Sequence, residues 1–218
     1  MKIATWNLER PNKSTRKNQA IIECLTAVNP DILILTETHE ILDLGKSYHI
    51  IHSSKLETTY YKEGERRVSI YSKYIILEEF VTFSNDTAIC VKLDTPFGQL
   101  VVYGTVIGVH GNRRESFNTD LEKQLEDFER LAPNNNFCIA GDFNMSFSDN
   151  YYHTNDGRQK LTTSFERSNL INLTADIKNN IDHIVISKSF IGDRITKKEF
   201  WNEDKKSSDH MGVAIELI

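Results

Sequence analysis

Cys138-Ile-Ala-Gly-Asp-Phe-Asn144 is a run of small and apolar residues that passes through Gly141 into an Asp and an Asn one residue apart. With Phe137 in front of it, the stretch reads as a buried strand whose end carries polar side chains. Residues two apart in extended chain project to one side, so Asp142 and Asn144 address a common ligand while Phe143 turns into the protein. Upstream, Leu121, Leu125, Phe128 and Leu131 recur at helical spacing until Pro133 and Asn134-Asn-Asn136 end the pattern. Before that helix, Thr87 to Asp94 and Gln99 to Ile107 form a hairpin turned at Thr95-Pro-Phe-Gly98.

The same alternation continues towards both ends. Ile3 to Trp6 reads as a strand, and Ser14 caps a helix in which Ile21, Ile22, Leu25 and Val28 form the apolar stripe before Asn29-Pro30 stops it. Asp31-Ile-Leu-Ile-Leu-Thr36 is too short for a helix and too apolar for a half-exposed strand, which predicts a central strand covered on both faces. Several short, partly alternating segments lie between Tyr48 and Ser72. A third helix is expected over Arg158 to Asn169, with strands over Ile181 to Ser187, Arg194 to Trp201 and Met211 to Ile218. Strands outnumber helices and several are hairpin-linked, so the expectation is two sheets with helices outside, in one domain spanning residues 1–218.

The 218 residues are 39% hydrophobic and 26% charged, enough to build one sizeable core. A net charge of -5 argues against a protein that coats nucleic acid by bulk electrostatics, although local basic loops remain open to it. Cys24, Cys90 and Cys138 sit in apolar stretches without metal-type spacing and are expected to be buried, reduced thiols. There is no apolar segment of signal or membrane-spanning length, and the expected setting is the cytoplasm.

Further polar residues collect at strand ends. Asn7 follows the first strand, Glu37 follows the second, Asn180-Ile-Asp-His183 precedes another, and Ser207-Ser-Asp-His210 precedes the last. Taken singly, an Asn or Asp after a strand is a turn former, and His183 reads as a structural histidine. His39, His49, His52 and His153 have no partner that sequence identifies. Together, carboxylates, amides and an imidazole converging on one end of a sheet make a site for a hard divalent cation and a phosphate.

The ordered set Thr5-Trp-Asn-Leu8, Asp31-Ile-Leu-Ile-Leu-Thr-Glu37, Gly141-Asp-Phe-Asn144, Ile181-Asp-His-Ile184 and Ser208-Asp-His210, with Arg67-Val-Ser-Ile-Tyr-Ser-Lys73, resembles the endonuclease/exonuclease/phosphatase superfamily. The resemblance implies an α/β fold, a four-layer sandwich of two packed mixed β-sheets flanked by helices. It also implies a Mg2+-dependent phosphoester hydrolase, with Mn2+ as a possible substitute. Glu37 would be the principal metal ligand, with Asn7 and Asp209 close to the ion or its waters. Asp182 would orient His210, Asp142 would transfer a proton near the attacking water, and Asn144 would donate its amide to a phosphate oxygen. Which of Asp142 and His210 is the base stays open.

One position departs from the pattern. The strand Leu100-Val-Val-Tyr-Gly-Thr105 corresponds to the one that normally ends in a His or Tyr on the scissile phosphate, and Thr105 occupies that place. His110 either reaches back into the site or is an exposed loop residue. A nuclease acting on nucleic acid is the leading expectation, with a phosphatase or phosphodiesterase on a small or lipid phosphate, or an inactive binding module, as alternatives. No protein partner is implied. Arg113-Arg114, Arg158, Lys160 and Lys205-Lys206 are candidate contacts to a nucleic-acid backbone, and Tyr151-Tyr152 with Trp201 are candidates for base stacking, against the plainer readings of solvated charge and packing.

Overall fold

The computed structural model of the protein describes residues 1–11, 15–57, 59, 61–108 and 115–218. The first half holds β1 (Lys2–Asn7), α1 (Thr15–Val28), β2 (Ile32–His39), β3 (His49–His52), β4 (Glu65–Ser72), β5 (Ile76–Phe80), β6 (Ala88–Thr95) and β7 (Gly98–Val106). The second half holds α2 (Glu115–Leu131), β8 (Phe137–Asp142), α3 (Asn155–Arg167), β9 (Leu170–Asn172), β10 (Asp182–Ser187), the single turn α4 (Lys188–Ile191), β11 (Thr196–Trp201) and β12 (Gly212–Leu217). Ser14, expected to cap α1, lies outside the described residues.

The strands form two six-stranded sheets, ordered β11-β12-β1-β2-β4-β3 and β5-β6-β7-β8-β10-β9. Both sheets are mixed and follow one plan. A parallel pair, β1 with β2 in one and β7 with β8 in the other, is joined by a helical crossover, α1 or α2, and antiparallel strands extend it on both sides. Parallel neighbours need such a crossover, and it deposits the helix on the outer face.

Ile3, Ile34, Ile70, Val102, Ala140, Ile184 and Ile215 pack between the sheets. On the outer face of the first sheet, Ile21, Leu25 and Val28 of α1 cover Ala4, Trp6, Leu33 and Leu35. On the outer face of the second, Leu121, Phe128 and Leu131 of α2 and Leu161 and Phe165 of α3 cover Val101, Tyr103, Phe137 and Ile139. The result is the four-layer α/β sandwich that the family resemblance implied, with the two sheets and outer helices that the alternation of elements predicted. Ile32 to Leu35 and Phe137 to Ala140 are continuous apolar runs because both of their faces are covered.

The differences from expectation sit at the margins. Edge strand β5 escapes the pattern because Ile-Leu-Glu-Glu-Phe carries paired glutamates on an exposed edge, where charge blocks further strand addition. Helix α3 starts three residues before the expected Arg158, since Thr154 Oγ1 accepts the Gly157 N–H and caps it. Gly141 has φ +140°, and a Cβ there would stand 1.9 Å from the Thr105 carbonyl oxygen. Only glycine lets β8 approach β7 this closely, so that residue sets the polar end of the strand against its neighbour.

Candidate metal and phosphoester site

The strand register brings the polar ends together. Asp142 closes β8 and pairs directly with Asp182, which opens the antiparallel β10, so two carboxylates arrive at one end of one sheet. From the facing sheet comes Asn7, the last residue of β1, whose Nδ2 donates to Asp142 Oδ2 at 3.0 Å. Asp142 Oδ1 accepts the backbone N–H of Asn144 at 2.9 Å. The loop before β12 adds His210, whose Nδ1 lies 2.6 Å from Asp182 Oδ2. Ser208 locks that loop in place: its hydroxyl donates to the Asn7 carbonyl at 2.7 Å and accepts the His210 N–H at 3.1 Å. The His210 carbonyl is held in turn by Trp6 Nε1 and Asn202 Nδ2.

Glu37 reaches the same place by a different device. Its backbone is left-handed, φ +44°, within β2, while pairing to β4 runs through Thr36 and Val68 and continues at Thr38 and Arg66. A residue with a Cβ adopts that conformation at a cost of about 1 kcal/mol or more, tolerated where neighbours over-determine it. Here Arg10 N donates to the Glu37 carbonyl at 2.7 Å. The Glu37 side chain then lines, with Arg10, Arg67, Asp142, Asn144 and His210, a cleft of about 210 Å³.

Burial controls the electrostatics. Asp142 is pushed up to about 7 by burial and then by the Asp182 charge, against the opposing pull of His210 and of its hydrogen bonds to Asn144 and Asn7. Burial acts to lower His210, but the charge and hydrogen bond of Asp182, with Asp142 and Asp209, outweigh it and raise the ring to about 10. His183 is the opposite case. It is wholly buried between Phe143 and Phe147, bonded to Thr174 and the Met145 carbonyl, and burial pushes it down to about 4, so it is the structural histidine expected.

Linkage makes these shifts testable in metal-free protein. Folded His210 holds its proton to about 10 whereas its ordinary value is 6.5, so its stabilisation is complete below pH 6.5 and is lost as pH rises to 10. Asp142, raised from 3.8 to about 7, lowers stability as pH rises between those values, and His183, lowered from 6.5 to about 4, offsets it there. Between pH 7 and 8.5 His210 dominates, because the Cys90 and Cys138 thiols and the Tyr103 hydroxyl, all pushed up by burial, add to the decline only nearer pH 9 and above. Urea denaturation in chelator should show unfolding free energy declining by about 2 kcal/mol between pH 7 and 8.5, and His210→Asn should flatten that decline; an equal decline in the variant would remove His210 as its cause.

Whether the cluster suits a cation is decided by its lone pairs. Ligand atoms of Asp142, Asp182 and His210 lie within 4.8 Å of one another. However, His210 Nδ1 is engaged with Asp182, and both Asp142 oxygens accept hydrogen bonds. That trio is built to share protons. Glu37 has only Arg10, at 3.4 Å, as an ion partner among the described residues, and Asn7 Oδ1, which accepts the Glu9 N–H, keeps a second lone pair. Buried Asp182 Oδ1 has no hydrogen-bond partner among the described residues. An oxygen-rich set with unspent acceptors fits a hard divalent ion. Asp209 stands apart from the buried set: its side chain is 69% exposed, and its Oδ1 is 3.7 Å from His210 Nε2.

Several expectations need correction. Thr105 does not reach the cleft. It is fully buried, and its hydroxyl donates to Gln124 of α2, because β7 turns odd-numbered side chains towards the helices; Val106 is the β7 residue that lines the cleft. Thr105→His would force a ring into a packed layer and strand Gln124. We expect a loss of about 2–4 kcal/mol in denaturant unfolding, and a variant as stable as the parent would refute this placement. Trp201 is not a stacking platform: it is buried edge-on against Trp6, 5.9 Å between ring centres, over Gly212. Lys160 is paired with Glu122 and Asp156, and Arg158 is bound to the Asp149 carbonyl, so both are engaged on the protein surface. Tyr151 is exposed, with Lys205 over its ring at 5.7 Å, and Tyr152 lines the cleft. His110 and Arg113-Arg114 lie outside the described residues. The three cysteines are free thiols, Cys90 and Cys138 buried and Cys24 half-buried. No helix among the described residues is long and apolar enough to cross a membrane.

Sequence reading missed Arg10 and Arg67 in the cleft and the locking role of Ser208. Arg10 carried no motif; Arg67 was visible only as the first residue of the segment Arg67 to Lys73, and Ser208 only as part of Ser-Asp-His.

A sandwich that gathers buried carboxylates, an imidazole and amides at one end is the architecture of a phosphoester-hydrolysing enzyme. The family model for the Endonuclease/Exonuclease/phosphatase family matches residues 4–210, and the chain belongs to that family. Enzymes of this family generally depend on a divalent metal. Its fold is similar to that of the endonuclease domain of TRAS1, a telomere-specific non-LTR retrotransposon (12% identity, 99% of this chain and 97% of that one, TM-score 0.71). It is also similar to NExo, a 3′ phosphatase from Neisseria bound to product DNA hairpin (17%, 100% and 99%, TM-score 0.71), and to an AP endonuclease from Archaeoglobus fulgidus (17%, 100% and 99%, TM-score 0.71). No protein of curated function matches the chain.

Proposed function

We propose that the protein is a Mg2+-dependent nuclease that hydrolyses phosphodiester bonds of nucleic acid. The observation that carries this reading is the 2.6 Å contact of Asp182 with His210, beside Asp142 and on one cleft with Glu37 and Asn144. Glu37 would hold the metal, with Asn7 and, at the exposed rim, Asp209 close to the ion or its waters, and oxygen donors favour Mg2+ or Mn2+ over zinc. When bound, the ion neutralises phosphate charge and stabilises the departing oxygen. Asp182 fixes the His210 ring and keeps it cationic, since a group raised to about 10 is protonated at neutral pH. His210 is therefore suited to holding phosphate charge. Asp142, near 7, is the group suited to taking a proton from water. Asn144 spends one amide N–H on the Ile107 carbonyl, 2.9 Å away, which aims the other at a phosphate oxygen.

The three structural neighbours named above support nucleic acid as the substrate class, since their descriptions name endonucleases and a DNA-bound 3′ phosphatase. A second reading, hydrolysis of a terminal or small phosphate, draws on the phosphatase among those neighbours. Supercoiled DNA, single-stranded DNA, RNA, a generic diester and a generic monoester, each assayed with Mg2+ and with chelator, separate the two. Mg2+-stimulated cleavage of a nucleic acid is expected; turnover of the monoester alone would transfer the assignment to the second reading.

A further inference from the structure

Adjacent arginines on β4 have opposite fates. Arg66 is neutralised by Glu40 and donates to the Ser53 carbonyl at 2.7 Å. Arg67 points the other way and is 9% exposed. Among the described residues it pairs with no carboxylate, and its buried Nε has no hydrogen-bond partner. Its one hydrogen bond there goes from a terminal nitrogen to the Tyr61 hydroxyl at 3.1 Å, while its guanidinium lies 5.4 Å from the Tyr61 ring centre. Arg10 sits over the same ring at 5.1 Å. Two guanidinium groups are thus held by one tyrosine on the wall of the cleft that also contains Glu37, Asp142, Asn144 and His210.

A nearly buried cation with an unspent donor is costly unless a ligand completes it. Arg67 lines the cleft while that Nε stays buried, and the planar guanidinium, of which the Tyr61 hydroxyl takes one terminal N–H, matches two oxygens of a phosphoryl group. Position 105, where a phosphate contact was expected, is spent on Gln124 instead. We infer that Arg67, steadied by Tyr61 and assisted by Arg10, is a substrate-positioning phosphate contact of this cleft, gripping non-bridging oxygens of the substrate phosphoryl group. The inference rests on the hydrolase reading for its substrate, but it concerns binding and is testable apart from turnover.

Inorganic phosphate is titrated into the metal-free protein and followed by calorimetry and by the Arg67 Nε–H resonance, for the parent, Arg67→Gln, Arg67→Lys and Tyr61→Leu. Loss of one charge-assisted pair weakens binding about 10- to 100-fold, so Arg67→Gln should raise Kd by that factor. Arg67→Lys should recover part of it, and Tyr61→Leu should fall between. In the DNA cleavage assay Arg67→Gln should raise KM more than it lowers kcat. A purely structural role would lower Tm and leave Kd unchanged in whatever fraction stays folded. No phosphate binding by the parent, or equal Kd in parent and Arg67→Gln, overturns the inference. Absence of DNA cleavage by a parent that binds phosphate through Arg67 overturns the nuclease reading alone.

Discussion

Asp182→Asn should lower turnover by about 10³-fold while the protein still folds, because a neutral amide removes the charge that keeps His210 cationic. With Asp182 ionised, His210 stands at about 10. Without that charge it falls back towards 6.5, so residual activity of the variant should decline as pH rises above about 6.5, whereas the parent holds its histidine proton throughout the neutral range. His210→Ala should cost as much as Asp182→Asn. The two residues touch at 2.6 Å, so the double variant should lose little more than either single one. Losses that multiply in the double variant, or a parent-like pH profile in Asp182→Asn, would mean that the two side chains act separately.

Glu37→Gln should abolish metal stimulation of hydrolysis, a loss of about 10³-fold or more, since the amide keeps the shape of the side chain and removes the anionic oxygen that a divalent ion requires. Stability should change little, because the ion pair with Arg10 at 3.4 Å is partly exposed and contributes about 0–1 kcal/mol. Direct Mn2+ titration by electron paramagnetic resonance gives a readout that does not depend on turnover: affinity should fall about tenfold or more in the variant. Parent-like Mn2+ affinity together with full metal-stimulated activity would remove Glu37 from the site.

The fold was legible where both faces of an element are covered. Ile32 to Leu35 and Phe137 to Ala140 announce central strands because nothing polar survives between two packed layers. The 3.6-residue stripe of Leu121, Phe128 and Leu131 announces a helix because only one side of it is buried. Edge elements were not legible: β5 carries Glu78 and Glu79 in the open, and β9 is three residues long. In the site, the polar residues at strand ends stood out because a buried strand has no use for them. The face that each β7 side chain takes did not, since a shift of one residue exchanges Thr105 with Val106.

By itself, then, the sequence determined the central strands and the helices, that two sheets have helices outside them, and which carboxylates, amides and imidazole stand at strand ends, because each of these follows from the order of residues within a short stretch; the edge strands β5 and β9 did not. Only the tertiary structure decided who meets whom. The Asn7–Asp142 hydrogen bond spans 135 positions and the Ser208–Asn7 bond 201. Such contacts depend on sheet order and register, which are set by burying the faces of strands far apart in the chain. The same cause separates Arg66 from Arg67. The two residues are identical and adjacent, and the pleat of β4 sends one to Glu40 and the other to the wall of the cleft, its Nε buried without a hydrogen-bond partner among the described residues.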